Sequence, residues 1–262
     1  MNDAASPASA PPISIVICTR NRAELLRRAL TSVVEQDFPR DAFEILVVDN
    51  GSTDHTAEVV RSFATRGPVQ WLMEPEPGLC IARNTGWRAA AGSIIAYFDD
   101  DAIASPGWLR AVQDGFADRS LNIGVMGGPV RPIWEAPRPA WLADAIVCSL
   151  TVIDWGDEKK FIPDVSQQWL AGANMAMPKA VLEEVGGFHP WLDRVGVNLL
   201  SSGDVFLEKQ IIERGYKCLY HPGMIIGHLA AASRLNKRWF FRRYYWQGVS
   251  DAASVDRKST RL

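Results

Sequence analysis

The sequence predicts an α/β protein with an open, mostly parallel sheet and helices on both faces. Short runs rich in β-branched residues alternate with amphipathic segments through the first half of the chain, a pattern typical of parallel strands joined by right-handed helical crossovers. The 47% hydrophobic and 22% charged residues among 262 are ordinary values for a globular protein. No repeat or linker divides the sequence. We expect a disordered tail over 1–12, a single domain over 13–248 and a polar tail over 249–262.

The first half of the chain carries the clearest strand and helix signals. Strands are expected at residues 13–18, 44–49, 69–73 and 93–98, because each run is short, apolar and rich in β-branched residues. The first helix should begin after Asn21 as its N-cap, and the second should follow Asp54. A third helix is expected over 79–91. A fourth should begin at Ser105-Pro106, because serine is a common N-cap and proline a common first helical residue.

The second half of the chain is less regular. Prolines and two tryptophans within residues 129–145 predict an irregular insertion over the sheet. Helices are then expected from Pro178 to about Val185, over about 204–214, and near 235–248.

The charge balance and the hydropathy argue against several classes of protein. With 28 lysines and arginines against 30 acids, the net charge of -2 provides no basic field for nucleic acid. The longest apolar runs are far too short to span a bilayer, and the N-terminus lacks the basic and apolar stretches of a secretory signal. The four cysteines have no paired spacing and are expected to be reduced thiols. We therefore expect a soluble, cytoplasmic protein.

Polar residues gather directly after three of the predicted strands, where the ligands of open α/β sheets bind. They are Thr19, Arg20 and Asn21 after the first strand, Asp49 and Ser52 at the second, and Asp99, Asp100 and Asp101 after the fourth. The first strand is not followed by G-x-G-x-x-G, and the chain contains no G-x-x-x-x-G-K-[ST]. Neither a dinucleotide-dependent dehydrogenase nor a P-loop enzyme is therefore expected.

Three adjacent carboxylates at the end of a buried strand need nearby positive charge. Each loses solvation there, and each repels its neighbours. The alternative explanation is capping of the next helix, but Ser105 already supplies that cap. A hard divalent cation with oxygen ligands fits better. We expect Mn²⁺ or Mg²⁺ that bridges the phosphates of a substrate.

Six segments, in chain order, resemble those of family-2 glycosyltransferases. They are ISIVICTRNR, EILVVDNGSTD, GLCIARNTGW, IIAYFDDDA, LAGANMAM with the following EEVGGF, and SGDVFLEKQIIERGYK. The resemblance covers about residues 13–248. It implies a GT-A fold with a Rossmann-like sheet, in an inverting enzyme that uses nucleotide-diphosphate sugars. It also implies that Asp99 and Asp101 are a D-x-D metal pair, with Asp101 the direct ligand.

The resemblance further implies roles for residues near the strand ends. Asp49 would hydrogen-bond the base, while Ser52 beside it would bind the nucleotide or only form the turn. Arg83 would face the nucleotide or its phosphates, with a solvated helix arginine as the alternative. His228 would be an additional metal or diphosphate ligand, or else a structural histidine. The implied nucleotide pocket consists of Thr19, Arg20, Asn21, Asp49, Ser52, Arg83, Asp99 and Asp100.

The later segments imply the sugar and acceptor sites. Gly172, Ala173 and Asn174 would approach the donor sugar, with an ordinary turn as the alternative. Asp204 falls where the family places its catalytic base, although an aspartate at a helix start is otherwise interpreted as a cap. The family has an acid immediately before that aspartate. Gly203 stands there in this chain, and we count it among the acceptor-binding positions.

The stretch from Arg234 to Trp246 combines five cations with six aromatic residues and no acid. Single-stranded nucleic acid binds such stretches, but the nearly neutral chain argues against that partner. A helix lying on an anionic membrane and a terminal helix packing its aromatics on the domain are two compatible interpretations. The first would place the protein at the inner face of the cell membrane.

The residues and the resemblance together predict transfer of a sugar from a nucleotide-diphosphate sugar, most commonly a UDP-sugar. The acceptor would be a hydroxyl of a glycan or lipid-linked saccharide in surface-polysaccharide synthesis. One alternative is a haloacid-dehalogenase-type phosphohydrolase, which also ends a strand in D-x-D. Ile103 stands where that family has threonine or valine. The other alternative is a catalytically silent nucleotide-sugar-binding protein, because Gly203 replaces the expected acid.

Overall fold

The structure, a computed structural model, describes residues 12–192 and 198–259. Its strands are β1 (Ile13–Thr19), β2 (Phe43–Asp49), β3 (Val69–Met73), β4 (Ile94–Phe98), β5 (Ala102–Ala104), β6 (Ile123–Gly127), β7 (Val130–Trp134), β8 (Lys160–Phe161), β9 (Asn174–Pro178), β10 (Lys217–Tyr220) and β11 (Ile226–Ala230). Its helices are α1 (Ala23–Val34), α2 (Thr56–Ala64), α3 (Leu79–Ala89), α4 (Trp108–Gly115), α5 (Asp144–Val147), α6 (Lys179–Val185), α7 (Gly203–Glu213) and α8 (Lys237–Ser259). Residues 1–11 of the expected N-terminal tail lie outside the described residues.

Eight strands form one mixed sheet in the order β3-β2-β1-β4-β9-β6-β10-β8. The first four strands pair in parallel. β9 enters antiparallel between β4 and β6, β10 is parallel to β6, and β8 is antiparallel to β10. The predicted class, an open and mostly parallel α/β sheet, is confirmed.

The central strands send alternate side chains to opposite faces of this sheet. Ile13, Ile15 and Ile17 of β1 pack with α1, α2 and α4 on one face, whereas Val16 packs with α3, α6 and α7 on the other. All four side chains are buried, and each such burial stabilises the fold by roughly 1.5–3 kcal/mol. Because helices cover both faces, the strand ends are the part of the sheet that remains accessible to a ligand.

A second sheet has three strands in the order β5-β11-β7. β5 begins directly after Asp101, and β11 pairs with it so that His228 lies opposite Ala102. The sequence pattern does not reveal β5, because three residues are too few to establish an alternation. β7 is a correction to the irregular insertion expected over 129–145, because its backbone pairs in parallel with β11.

Two helix starts differ from the expected caps. The N-cap of α1 is Arg22, and the preceding Asn21 has a φ of 54°. The side chain of Asn21 instead accepts a hydrogen bond from the backbone N–H of Thr53 in the loop after β2. The N-cap of α4 is Gly107, and Ser105 contributes only its backbone carbonyl, which accepts from the N–H of Trp108. Neither predicted side-chain cap is present.

The C-terminal helix α8 continues past the expected boundary at 248 as far as Ser259. The segment expected as a polar tail is thus helical through Ser259, and no proline interrupts it. Phe240 of α8 is buried and meets the ring of Trp141 edge-on at 5.2 Å, so part of the aromatic cluster packs on the domain. Within residues 12–192 and 198–259, no helix combines the length and the apolar character that a membrane crossing requires.

Candidate active site

Asp99, Asp100 and Asp101 occupy the turn between β4 and β5. His228 of β11 reaches the same turn from the smaller sheet. Its Nε2 lies 3.0 Å from Oδ1 of Asp101 and 3.8 Å from Oδ2 of Asp99. One ligand atom from each of Asp99, Asp101 and His228 lies within 4.8 Å of the other two. These three residues form a compact cluster of two carboxylates and one imidazole at the carboxyl end of β4.

The chemistry of this cluster fits a divalent cation. Carboxylate ligands suit Mg²⁺ and Mn²⁺, and imidazole is a common ligand of divalent transition metals. Burial alone would raise the pKa of Asp101, but the hydrogen bond and charge of His228 outweigh it and lower that pKa. Burial alone would lower the pKa of His228, whereas its contacts with Asp101 and Asp99 raise it to about 9. The two carboxylates therefore favour a positive charge here, which a cation supplies when the imidazole binds it unprotonated.

Asp100, the middle aspartate, is bound to the end of β1 and the start of α1. Its Oδ2 accepts from Oγ1 of Thr19 at 2.8 Å, and its Oδ1 accepts from Nη1 of Arg22 at 2.9 Å. Burial raises the pKa of Asp100 to about 6 against the opposing charge of Arg22. Nη1 of Arg22 also lies 3.2 Å from Oδ2 of Asp101. Arg22 is a site residue to which the sequence assigns no role, although it follows Asn21 in the segment that carries the resemblance.

Side chains tie together the loops that follow β1 and β2. The backbone N–H of Asn21 donates to Oγ of Ser52 at 2.9 Å, and the N–H of Ser52 donates to Oδ1 of Asp49 at 2.8 Å. Nε1 of Trp71 donates to the other carboxylate oxygen of Asp49 at 3.3 Å. The structure thus brings together, at one edge of the sheet, Thr19, Asn21, Asp49 and Ser52, with Arg20 exposed next to Thr19 and Asn21.

Arg83 of α3 is buried beside the acidic turn. Its Nη2 lies 3.4 Å from Oδ1 of Asp99, and its guanidinium lies over the rings of Phe188 at 5.1 Å and Tyr97 at 5.9 Å. Burial alone would lower the pKa of Arg83, but Asp99 leads the charges that outweigh it and raise that pKa. With 7% of its surface exposed, Arg83 is not a solvated helix arginine. A Cβ on Gly172 would lie 2.7 Å from Nη1 of Arg83, so glycine lets the backbone pass across the guanidinium.

Two carboxylates of α7 hold the segment before β9. Oδ2 of Asp204 accepts from the N–H of Gly172 at 3.1 Å, and both oxygens of Glu208 lie 3.3 Å from the N–H of Leu170. Glu208 is fully buried, and burial together with the charge of Asp204 raises the pKa of Glu208 well above its usual range. Oδ1 of Asp204 accepts from the N–H of Val205 at 3.0 Å. Asp204 therefore binds a first-turn amide of its own helix and also reaches across to Gly172.

The C-terminal helix α8 holds the residues that precede Asp204. Oε1 of Gln247 accepts from Oγ of Ser201, and its Nε2 donates to Oγ of Ser202, both at 2.9 Å. Oγ of Ser250 accepts from the N–H of Ser201 at 3.0 Å. Ser202 has a φ of 72°, which is uncommon for a residue other than glycine. These contacts fix the turn that presents Asp204.

A cavity of about 640 Å³ opens between these elements, a volume within the usual range for a small-molecule site. The strand ends contribute Asp99 and α3 contributes Arg83, while Asp204 enters from α7. The other predicted residues that line it are Gly172, Ala173 and Gly203. α7 and α8 complete the wall with Lys209, Arg243, Tyr244 and Gln247, none of which the sequence predicted as site residues.

Asn174 does not reach this cavity. It is fully buried, its Oδ1 accepts from Nε1 of Trp108 at 2.8 Å, and its Nδ2 donates to the carbonyl of Met224 at 2.6 Å. The structure therefore places Asn174 in the core, where it joins β9 to α4 and to the turn before β11.

A family model described as Glycosyl transferase family 2 matches residues 14–186. Glycosyltransferase AglE of Haloferax volcanii is 29% identical over 229 residues, which are 84% of this chain and 69% of that protein. The glucosyl-dolichyl phosphate glucuronosyltransferase of the same organism is 25% identical over 245 residues, which are 91% of this chain and 75% of that protein. Validoxylamine A glucosyltransferase of Streptomyces hygroscopicus is 29% identical over 204 residues, but this chain spans only 47% of its length.

One similar solved structure is the mannosyltransferase PcManGT from Pyrobaculum calidifontis in complex with GDP-Man and Mn²⁺. Its TM-score is 0.68 at 25% identity, and the match covers 94% of this chain and 65% of that one. GalNAc-T7, solved with UDP, GalNAc and Mn²⁺, has a TM-score of 0.64 at 20% identity over 84% of this chain and 44% of that one. At that identity the likeness concerns the fold alone.

Proposed function

The chain belongs to glycosyl transferase family 2, and from that premise we propose that it moves a sugar from a nucleotide-diphosphate sugar to an acceptor hydroxyl with inversion. It has the GT-A fold of its structural neighbours. Its relatives are named glycosyltransferases, which disfavours the phosphohydrolase alternative. One observation carries the proposal: Asp99 with Arg83, and Asp204 from a different element, open onto the same cavity.

We assign the residues of the proposed site to two groups, one for the nucleotide and one for the acceptor. The nucleotide side consists of residues 19–22 and 49–52, Arg83, Asp99–Asp101 and His228. The acceptor side consists of residues 201–204, Lys209, Arg243 and Gln247.

We propose that Asp99, Asp101 and His228 hold Mn²⁺ or Mg²⁺. When bound, the cation supplies positive charge that stabilises the diphosphate as it leaves. Arg83 adds a fixed positive charge on the same wall, held by Asp99 and two aromatic rings. Arg22 holds Asp101 from the other direction.

In the proposed reaction, Asp204 takes the proton of the acceptor hydroxyl. The hydroxyl oxygen forms a bond to the anomeric carbon of the donor while the bond from that carbon to the diphosphate oxygen breaks, so the configuration inverts. The N–H of Gly172 fixes one oxygen of Asp204. A Cβ on Gly203 would meet little more than Sγ of Cys80 at 3.4 Å, so the missing acid leaves room beside the base.

We propose a UDP-sugar as the donor. Asp49 is buried at the end of β2 and bonds both Ser52 and Trp71, and the half-exposed Trp71 ring supports a base pocket at this position. GDP-mannose is the alternative donor to test, because one structural relative is solved with GDP-Man.

A transfer assay with UDP- and GDP-sugars, with Mn²⁺ and with or without EDTA, tests the proposed function. Asp101→Ala should abolish Mn²⁺-dependent binding of the nucleotide diphosphate, because a hard cation loses an anionic oxygen ligand. EDTA should reduce the wild type to the same level. Asp157→Ala removes an exposed acid away from the cavity and serves as the control.

Other outcomes would replace the proposal. Unchanged nucleotide binding in Asp101→Ala, together with indifference to EDTA, contradicts the metal site. Binding without turnover on any acceptor supports a silent binding protein. Release of phosphate from simple esters supports the phosphohydrolase.

We also propose that the acceptor is a glycan or lipid-linked saccharide of surface-polysaccharide synthesis, met at the inner face of the cell membrane. α8 supports this because its two faces differ. Arg243, Tyr244 and Gln247 line the cavity, whereas the spacing of Arg238, Phe241, Arg242 and Tyr245 places them together on one exposed face. Phe241 is 75% exposed and Tyr245 is 69% exposed, as an interfacial helix requires.

Co-sedimentation with phosphatidylcholine vesicles, with or without phosphatidylserine, tests the membrane contact. Binding should require phosphatidylserine and weaken as salt rises, because each cation near an anionic surface contributes about 1 kcal/mol. Arg238→Gln should reduce binding several-fold, whereas Arg28→Gln, an exposed cation of α1, should not. Binding that is indifferent to both lipid and salt would exclude this contact.

A further inference from the structure

Two cations of the cavity wall have no carboxylate partner within ion-pair distance among the described residues. They are Lys209 of α7 and Arg243 of α8, and both line the cavity. Arg83, the other cation of the wall, is paired with Asp99. The positive charge of Arg83 is thus already engaged, whereas the charges of Lys209 and Arg243 face the cavity unneutralised by a direct ion pair.

The side chain of Arg243 is held in place by a hydrogen bond. Its Nη1 donates to Oγ of Ser201 at 3.0 Å, and Ser201 is itself held by Gln247 and Ser250. The side chain is partly buried, and burial lowers the pKa of Arg243 despite the longer-range charges of Asp204 and Asp251. A guanidinium in this setting is held in place and lacks a full counter-charge.

Both cations belong to the part of the cavity that presents Asp204. Lys209 follows Asp204 on α7, five residues along the chain, and Arg243 bonds the serine three residues before it. Asp99 directly follows β4, and Arg83 belongs to α3. A group that bridges Lys209 and Arg243 would therefore lie on the acceptor side and not at the donor diphosphate.

We propose that Arg243 and Lys209 bind an anionic group of the acceptor, a phosphate or a carboxylate, next to the hydroxyl that is glycosylated. The inference rests on the proposed function and narrows its substrate to acidic acceptors. A guanidinium binds either anion through two parallel N–H donors, and an ammonium adds a point charge. Holding the anion orients the neighbouring hydroxyl towards Asp204, and this binding breaks no covalent bond.

Three probes with the same octyl chain separate the sources of the anion. They are octyl glucoside, which is neutral, octyl glucuronide, which carries a carboxylate, and glucosyl octyl phosphate, which carries a phosphodiester. Their affinities for the full chain are measured by calorimetry with saturating Mn²⁺ and nucleotide diphosphate. At least one charged probe should bind about tenfold tighter than the neutral probe, as expected for a charge-assisted hydrogen bond. Tighter binding of the glucuronide would identify an acidic sugar as the source of the anion, and tighter binding of the phosphodiester would identify a lipid phosphate.

The variants show whether the two cations cause that preference. Arg243→Gln and Lys209→Gln should each reduce the advantage of the charged probe over octyl glucoside to near zero. Arg243→Lys should keep part of the advantage. Arg238→Gln removes an exposed cation from the same helix but outside the cavity wall, and it should leave the preference intact.

The results also separate this inference from the proposed function. Equal affinity for all three probes, or no binding of either charged probe, overturns the anion site if the chain still binds nucleotide diphosphate with Mn²⁺. A preference that survives in Arg243→Gln and Lys209→Gln overturns it as well. If the wild type shows no Mn²⁺-dependent nucleotide binding at all, the proposed function itself is overturned.

Discussion

The proposed nucleotide side of the site is built largely from strand ends, whereas the proposed acceptor side is built from α7, α8 and the residues that precede α7. On the nucleotide side, Thr19, Asp49 and Asp99 each stand at or directly after a strand of the same sheet, so backbone pairing brings them together. On the acceptor side, side-chain hydrogen bonds join Gly172 to Asp204 and Ser202 to Gln247. Backbone pairing between strands fixes the first group, whereas the second depends largely on hydrogen bonds made by side chains.

This difference predicts which substitutions alter sugar transfer without altering nucleotide binding. A substitution on the nucleotide side acts on a sheet edge whose strands are held by backbone pairing. On the acceptor side, loss of one side chain releases a turn such as the one at Ser202. We therefore expect substitutions on the acceptor side to change transfer while leaving nucleotide binding alone, and three experiments measure that separation.

The largest effect is expected for Asp204→Asn. Asparagine keeps an oxygen that can accept from Gly172, but it cannot take the proton of the acceptor, so transfer should fall by about 10²–10⁴. Mn²⁺-dependent nucleotide binding and the unfolding midpoint should stay near those of the wild type. Glu213→Gln, an exposed change at the end of the same helix, is the control. Near wild-type transfer by Asp204→Asn would mean that Asp204 is only a cap.

An intermediate effect is expected for Gly172→Ala, which crosses the division between the two sides. The new Cβ would lie 2.7 and 2.8 Å from the two Nη atoms of Arg83, so the guanidinium must move relative to Asp99. Nucleotide-diphosphate affinity should fall about tenfold, and overpacking should destabilise the fold by about 1–3 kcal/mol. Gly248→Ala meets no atom within 4 Å and controls for the added methyl. Unchanged nucleotide affinity by calorimetry would show that Arg83 does not contact the donor.

The smallest effect is expected for Gln247→Ala. It removes the hydrogen bonds to Ser201 and Ser202, each worth about 0.5–1.5 kcal/mol, so the turn before Asp204 loosens. The kcat of transfer should fall several-fold, with the Kd for nucleotide diphosphate unchanged. Gln113→Ala, an exposed change on α4, should alter neither quantity. A fall in nucleotide affinity equal to the fall in kcat would contradict the division.

The sequence predicts the strands of the nucleotide side more directly than the contacts that hold the acceptor side, and the reason is physical. Local composition predicts strands β1 to β4, and the polar residues at their ends follow directly in the chain. Glu208 looks like an ordinary polar helix residue, and only the tertiary structure buries it against Leu170. Gln247 meets Ser202 across 45 residues, a distance at which no spacing rule applies. The predicted N-caps Asn21 and Ser105 are wrong. The side chain of Asn21 instead accepts a hydrogen bond from the loop after β2, and the N-cap of α4 is Gly107.

The place of β9 in the sheet has a consequence for synthesis of the chain. β1 to β4 are complete once Phe98 has emerged, yet the free edge of β4 is covered only by β9, which begins at Asn174. While the intervening residues are being made, that edge can pair with another strand. We therefore expect nascent chains arrested before β9 to aggregate more than chains arrested after it, which ribosome-arrest followed by sedimentation would measure.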